Sequence, residues 1–163
     1  MSARKAEPLS EDTTPLRIYI DGASKGNPGE AGAGILITDR HGRRLAQFGR
    51  YLGHQTNNQA EYWALLLGLR EAKRLGGKSI EIFTDSELLE RQVRGLYRVK
   101  ALNLKGLHRA VMKDLEGFAS FQIESIPRAK NQEADRLATQ AIQRRFRKER
   151  EGIQKRGTDG RSS

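Results

Sequence analysis

The sequence predicts an α/β fold in which a mixed β-sheet is covered by helices. Three short runs rich in β-prone residues, joined by tight turns, occupy its first third and indicate an antiparallel meander. After the meander, the spacing of apolar residues alternates between that of helices and that of strands, which is typical of a sheet packed against helices. At 163 residues, the chain has room for one domain of ordinary size.

The meander is predicted over residues 16–52. Its strands are the runs 16–21, 35–38 and 44–52. A glycine-rich turn over 22–34 joins the first two, and a second turn over 39–42 leads to the third.

The period of the apolar pattern then changes from two to about 3.6. Apolar residues three and four apart predict a helix that begins at Thr56 or Asn57 and ends at Gly76. The remaining sequence adds two further strands and three further helices, which gives the order β-β-β-α-β-α-α-β-α. These strands are predicted at 79–84 and 121–126, and the helices at 86–94, 102–118 and from 131 to about 147.

The charge is unevenly distributed, and it divides the chain into a leader (1–15), a folded domain (16–147) and a basic flexible tail (148–163). The formal net charge is +10, of which residues 16–143 carry +6 and residues 144–163 carry +5. Such an excess predicts a polyanionic partner. For the tail alone, a merely solubilising role is the alternative.

Several classes of protein are excluded by composition. The chain has no cysteine, so it has no disulfide scaffold, thiolate zinc site or cysteine nucleophile. It has no apolar run near the roughly 20 residues needed to cross a bilayer, and its N-terminus has no secretory signal. We therefore expect a soluble, cytoplasmic protein without a membrane partner.

Four carboxylates stand at the ends of predicted elements. Asp21 and Asp85 each end a strand, and parallel neighbouring strands would bring them side by side. Glu61 and Asp135 lie near the starts of helices. If the fold brings all four together, they form a hard oxygen site suited to Mg²⁺ or Mn²⁺. Each residue alone has a structural alternative as a turn, a cap or a partner of the helix dipole.

Four segments carry a family resemblance. Ile-Asp-Gly-Ala-Ser-Lys-Gly-Asn-Pro-Gly at 20–29, Thr-Asn-Asn-Gln-Ala-Glu at 56–61, Thr-Asp-Ser at 84–86 and Asn-Gln-Glu-Ala-Asp at 131–135 resemble type 1 ribonuclease H. They occur in the family's order over about residues 16–145. The resemblance implies the ribonuclease H fold, a five-stranded mixed sheet of three antiparallel and two parallel strands with flanking helices. It also implies cleavage of the RNA strand of RNA–DNA hybrids.

The resemblance further implies a two-metal-ion site. The family's metal-binding carboxylates correspond to Asp21, Glu61, Asp85 and Asp135. Two Mg²⁺ ions, with Mn²⁺ as a substitute, would flank the scissile phosphate and leave 5′-phosphate and 3′-hydroxyl ends. Positions matching the family's substrate-binding residues are Gly22, Ser24, Asn27, Thr56, Asn57, Asn58, Ser86, Arg128 and Asn131.

The chain departs from the family pattern in the loop before the last helix. Many members carry a histidine there that assists product release or proton transfer, whereas residues 126–130 contain none. Arg128 is the best substitute, but a guanidinium is not deprotonated in proteins, so it can bind phosphate and cannot move a proton. We expect the rate, and not the type of reaction, to differ.

The chain also lacks the basic protrusion with several tryptophans by which some members hold the DNA strand. Its single tryptophan, Trp63, is predicted to pack in a helix. Between residues 91 and 113, seven basic side chains occur without an acidic one. This stretch predicts a track for phosphates, and a solvated helix face is the alternative.

Two other functions fit part of the sequence. One is a nucleic-acid-binding module that has lost catalysis, and the other is a different nuclease or an integrase of the same broad fold. The presence of all four carboxylates argues against the first, and the combination of Asn27-Pro28-Gly29 with Thr56-Asn57-Asn58 argues against the second. We expect a monomer that acts on RNA–DNA hybrids.

Overall fold

The computed structural model describes residues 14–162, with side chains up to residue 154. Most of the predicted leader therefore lies outside the described residues. The described residues form five strands and four α-helices, and a 3₁₀ turn at Arg128–Lys130 precedes the last helix. In chain order these are β1 (Leu16–Lys25), β2 (Gly29–Thr38), β3 (Arg44–Gln55), α1 (Asn57–Arg74), β4 (Ser79–Thr84), α2 (Glu87–Val93), α3 (Leu102–Leu115), β5 (Ser120–Ser125) and α4 (Gln132–Ser162).

The strands form one mixed sheet in the order β3-β2-β1-β4-β5. The first three are antiparallel neighbours, whereas β1 pairs with β4, and β4 with β5, in parallel. This arrangement confirms the predicted element order and the predicted mixed sheet. The parallel register aligns Tyr19 with Phe83, so the middle of β1 lies beside the end of β4.

The main core lies between the sheet and helices α1 and α3. Ile18, Ile20 and Ile35 point to this face and are fully buried against α1, whose Leu65 and Leu69 are also buried. Burying such branched apolar side chains supplies most of the stabilisation of a domain of this size. Trp63 packs at the margin of the same core, which confirms its predicted packing role.

The opposite face of β1–β3 is covered by α4 at unusually close range. A Cβ atom on Gly34 would lie 1.9 Å from the carbonyl oxygen of Ala134, and one on Gly49 would lie 2.3 Å from that of Leu137. Only glycine permits this approach. The glycines of the meander therefore fix the position of α4 and of the carboxylate in its first turn.

Some element boundaries differ from the prediction. β1 continues to Lys25 instead of ending at Gly22, because the glycine-rich segment pairs with β2 as far as Lys25 and Glu30. α4 continues to Ser162, well beyond the predicted end near residue 147. No proline interrupts it, and Arg145 pairs with Glu149 one turn later at 3.2 Å. The predicted division into leader, domain and tail stays a prediction.

Candidate active site

The parallel strands β1 and β4 bring two carboxylates together. Asp21 lies on β1, and Asp85 follows the last residue of β4. Together with Glu61, these residues offer carboxylate oxygens that all lie within 4.8 Å of one another. Asp21 and Glu61 are buried, and Asp85 is half-buried. The expectation that these two carboxylates lie close together is therefore confirmed, although Asp21 lies in the middle of β1 and not at its end.

Glu61 reaches the cluster because the first turn of α1 is fixed in two ways. The hydroxyl oxygen of Thr56 caps the helix by accepting from the N–H of Gln59 at 3.1 Å. The side-chain oxygen of Gln59 accepts in turn from the N–H of Thr56. Gly22 allows the helix to touch β1, because a Cβ atom there would lie 2.2 Å from the carbonyl carbon of Ala60. The N–H of Gly22 also donates to Glu61.

Asp135 enters the same cleft from the first turn of α4. The start of that helix is tied to β1 by Asn131, whose Nδ2 donates to the carbonyl oxygen of Ile20 at 2.8 Å. The N–H of Asp135 in turn donates to the carbonyl oxygen of Asn131 at 3.2 Å. Asp135 is close enough to Asp21 for their carboxyl groups to share a hydrogen bond. All four predicted carboxylates thus line one cleft of about 460 Å³.

The proximity of these groups changes their protonation. Burial, followed by the charges of Glu61 and Asp85, raises the pKa of Asp21 far above its ordinary value. Burial and the charge of Asp85 likewise raise the pKa of Glu61. The Oε2 atom of Glu61 is buried without a hydrogen-bond partner. A cluster of hard oxygen donors with one such orphaned atom fits a divalent cation such as Mg²⁺ or Mn²⁺.

Eight of the nine predicted substrate-binding residues divide into three groups. Gly22, Ser24, Asn57 and Arg128 line the cleft. Asn27, Thr56 and Ser86 shape it: Asn27 accepts from the N–H of Asn57 at 3.0 Å, and the other two cap α1 and α2. Asn58 is exposed in the first turn of α1.

Asn131 is the predicted substrate contact that the fold uses differently. Its side chain is 2% exposed and is engaged with β1, so its contact with substrate stays a prediction. Two contributions to the site escaped the sequence analysis. Ala23 lines the cleft, and Gly22 acts through packing as well as through its backbone. The run of small residues after Asp21 was the available signal for both.

The loop before α4 presents a cation to the cleft. The Arg128 guanidinium lies 3.8 Å from the carboxylate of Asp135, and its side chain is 80% exposed. All three histidines fall in the described part of the chain, and none of them lines the cleft. The closest equivalent to the family's loop histidine is therefore an arginine that stays charged.

The basic stretch 91–113 forms a surface on α2, α3 and the loop between them. Arg91 and Arg94 pair with Glu87 and Glu90 in the preceding turn, at 3.4 and 2.8 Å. Further along, a groove of about 630 Å³ is lined by Arg98, Lys105 and Arg109 together with Tyr97 and His108. The start of the predicted phosphate track, at Arg91 and Arg94, is thus neutralised by acidic neighbours. The part that bears Arg98, Lys105 and Arg109 keeps its positive charge. Within the described residues, no helix is both long and apolar enough to cross a bilayer.

Comparison with known proteins identifies relatives over more than three quarters of the chain. Residues 19–141 match a family described as reverse transcriptase-like. The chain is 40% identical over 127 residues to a ribonuclease HI of Halobacterium salinarum, which covers 78% of this chain and 64% of that protein. It is 39% identical over 126 residues to the bifunctional protein Rv2228c of Mycobacterium tuberculosis, covering 77% of this chain and 35% of that protein.

A solved structure shares the fold. The ribonuclease H1 called LC11, crystallised in complex with an RNA/DNA hybrid, superposes with a TM-score of 0.78 at 38% identity. The match covers 80% of this chain and 99% of that one. The chain spans 64% of the first curated relative and 35% of the second. The activities of those whole proteins are therefore not assigned to this chain by similarity alone. The shared five-stranded sheet, the ordered motifs and these identities place the chain in the type 1 ribonuclease H family.

Proposed function

We propose that the protein is a metal-dependent endonuclease that hydrolyses the RNA strand of RNA–DNA hybrids. The observation that carries the proposal is the convergence of Asp21, Glu61, Asp85 and Asp135 on one cleft. It is supported by the relative named ribonuclease HI and by the LC11 enzyme, which was crystallised with a hybrid. In this reaction, a water oxygen bonds to phosphorus as the bond to the 3′ oxygen breaks. The products are a 5′-phosphate and a 3′-hydroxyl.

Asp21, Glu61, Asp85 and Asp135 would hold two Mg²⁺ ions, or Mn²⁺ in their place. When bound, the ions would supply a nucleophilic water and neutralise charge on the leaving oxygen. The raised pKa values of Asp21 and Glu61 support this assignment, because such crowded carboxylates ionise readily only beside a cation. The protein contributes the fixed geometry, through the close packing of α1 on β1 and of α4 on β2 and β3.

The rest of the cleft suits a sugar–phosphate chain. Ser24 and Asn57 present a hydroxyl and an amide along its wall, where they can bond to 2′-hydroxyl and phosphate groups. Gly22 and Ala23 line the cleft with small or absent side chains, so a bulky nucleic-acid strand can approach the protein backbone. Arg128 adds an exposed cation for a phosphate, and the surface bearing Arg98, Lys105 and Arg109 extends the positive potential.

The test is cleavage of end-labelled strands in three substrates of the same sequence. These are an RNA–DNA hybrid with the label on the RNA strand, single-stranded RNA and a DNA duplex. Each substrate is incubated with Mg²⁺, with Mn²⁺ and with a chelator. Asp85→Asn removes one charge from the cluster at constant shape. Asp114→Asn is the matched control, because Asp114 lies on α3 and pairs with Arg70. We expect cleavage of the hybrid only, lost with chelator and with Asp85→Asn, and kept in Asp114→Asn.

The alternatives give different results in the same assay. Tight binding of the hybrid without cleavage in either metal identifies a binding module that no longer turns over. Cleavage of the DNA duplex identifies a nuclease of another specificity. End analysis of the products checks for the 5′-phosphate, and light scattering checks the expected monomer.

A further inference from the structure

The last helix carries a basic extension, which we call the basic arm and define as residues 144–162 of α4. From Arg147 to Gln154, every residue except Gly152 is exposed. The described side chains of the arm include five cations and two carboxylates. The cations are Arg144, Arg145, Arg147, Lys148 and Arg150.

The contacts of α4 show the direction in which the arm extends. Near its start, Glu133 pairs with Arg44 at the beginning of β3, at 2.9 Å. Twelve residues further on, the Arg145 guanidinium lies 5.4 Å from the ring centre of Tyr51, near the end of β3. The helix therefore runs toward Gln55, the last residue of β3. The chain continues there through Thr56 into α1. Ser24 near the end of β1 and Asn57 at the start of α1, which both line the cleft, lie at this end of the sheet.

The root of the arm is anchored to the sheet. Tyr51 supports the guanidinium of Arg145 on its ring and donates its hydroxyl hydrogen to Glu30 of β2. Arg145 also pairs with Glu149. At 1.5 Å per residue, the helix from Arg145 to Ser162 spans about 25 Å, which corresponds to roughly seven base pairs of duplex.

We infer that the basic arm binds the sugar–phosphate backbone of the hybrid outside the segment that the cleft holds. This inference rests on the proposed function, which supplies the duplex. A cationic helix that leaves the protein at the substrate-binding end of the sheet meets the continuing duplex, and each phosphate it neutralises releases a counterion. The contacts read no base sequence, because they involve phosphates alone. The arm thus favours long hybrids over short ones.

The experiment measures hybrid binding in the non-cleaving Asp85→Asn protein across a range of salt concentrations. Hybrids of about 8 and about 24 base pairs separate the cleft from the arm, since each base pair adds about 3.4 Å. The arm variant is the triple substitution Arg147→Gln, Lys148→Gln and Arg150→Gln. A matched control removes three cations from the opposite end of the molecule, with Arg40→Gln, Arg43→Gln and Lys73→Gln.

For the long hybrid, we expect the arm variant to lower the slope of log K against log salt by about two to three, at roughly 0.7–0.9 per lost phosphate contact. The arm variant should bind the short hybrid as tightly as before. The control variant should keep both the salt slope on the long hybrid and the affinity for the short hybrid. An unchanged slope on the long hybrid overturns the inference, and so does an equal loss on both hybrids. The unsubstituted protein's cleavage of the short hybrid tests the proposed function separately, so the two failures are distinguishable.

Discussion

Arg128 places a cation against the carboxylate cluster, 3.8 Å from Asp135, and this gives it opposing effects on two ligands. Its charge repels an incoming divalent metal and attracts a phosphate. For Arg128→Gln, we therefore predict tighter Mg²⁺ binding by the free protein together with weaker hybrid binding. Because the side chain is exposed, each change should be worth at most about 1 kcal/mol, or roughly fivefold.

Calorimetric titration with Mg²⁺ and a hybrid-binding assay in the Asp85→Asn background measure the two effects. Arg40→Gln is the control, since it removes the same charge from the β2–β3 turn. If both affinities move in the same direction, Arg128 does not act through its charge at the cluster.

Gly22 determines how closely α1 approaches β1, and a methyl group at this position has no space. The added carbon would lie 2.2 Å from the Ala60 carbonyl carbon, so Gly22→Ala must push the start of α1 and Glu61 away from Asp21. We predict a loss of about 1–3 kcal/mol in the free energy of unfolding, and weakened Mg²⁺ binding.

Urea denaturation with and without Mg²⁺ measures both losses. Gly106→Ala is the contrasting control, because a methyl group on that α3 glycine meets no atom within 4 Å. There, replacing a helical glycine should stabilise the protein by about 0.5–1 kcal/mol. A Gly22→Ala protein as stable as the unsubstituted one contradicts the close packing.

Among the elements, α1 depends on its N-terminal capping box. Thr56→Ala removes the acceptor for the N–H of Gln59 and should lower the free energy of unfolding by about 1 kcal/mol. Thr56→Ser keeps the hydroxyl and should keep most of the stability. Thermal denaturation of the two variants measures the difference, and equal stability of Thr56→Ala and the unsubstituted protein would show that the cap contributes nothing.

Secondary structure was predictable where the apolar pattern has a clear period, and less so where small residues replace it. β4 was predicted at its observed limits, because 79–84 alternates between buried and half-buried positions. The second half of β1 was missed, since Gly22 and Ala23 carry no periodic signal and their pairing with β2 is set by backbone hydrogen bonds. The end of α4 was missed because it lies beyond the core, where no buried stripe marks a helix.

The site was predictable to the extent that strand ends and helix starts specify positions. Asp21 and Asp85 follow from two parallel neighbours, a relation that element order suggests. The contribution of Gly22 and the burial of Asn131 depend on how closely two helices approach the same strand. That distance is a tertiary property, which a local sequence pattern does not specify.

At the scale of the whole molecule, the fold and the site make opposing demands. The packing that brings α1 and α4 onto β1 also crowds the buried Asp21 and Glu61 against the half-buried Asp85. Without a cation, the ionised cluster opposes folding through desolvation and mutual repulsion. The stability of the protein should therefore depend on both pH and divalent metal.

The direction of this dependence follows from the raised pKa values of Asp21 and Glu61. Between about pH 4, where unfolded carboxyl groups titrate, and the higher folded values, the native state binds more protons, so stability falls as pH rises. We predict that the metal-free protein is less stable at about pH 8.5 than at about pH 5.5, by roughly 1–3 kcal/mol. Mg²⁺ should stabilise it more at the higher pH, where it competes with fewer protons. Urea denaturation measures both, and the double substitution Asp21→Asn with Glu61→Gln should flatten the pH dependence and reduce the effect of Mg²⁺. A pH dependence that survives both substitutions would locate its source outside these two carboxyl groups.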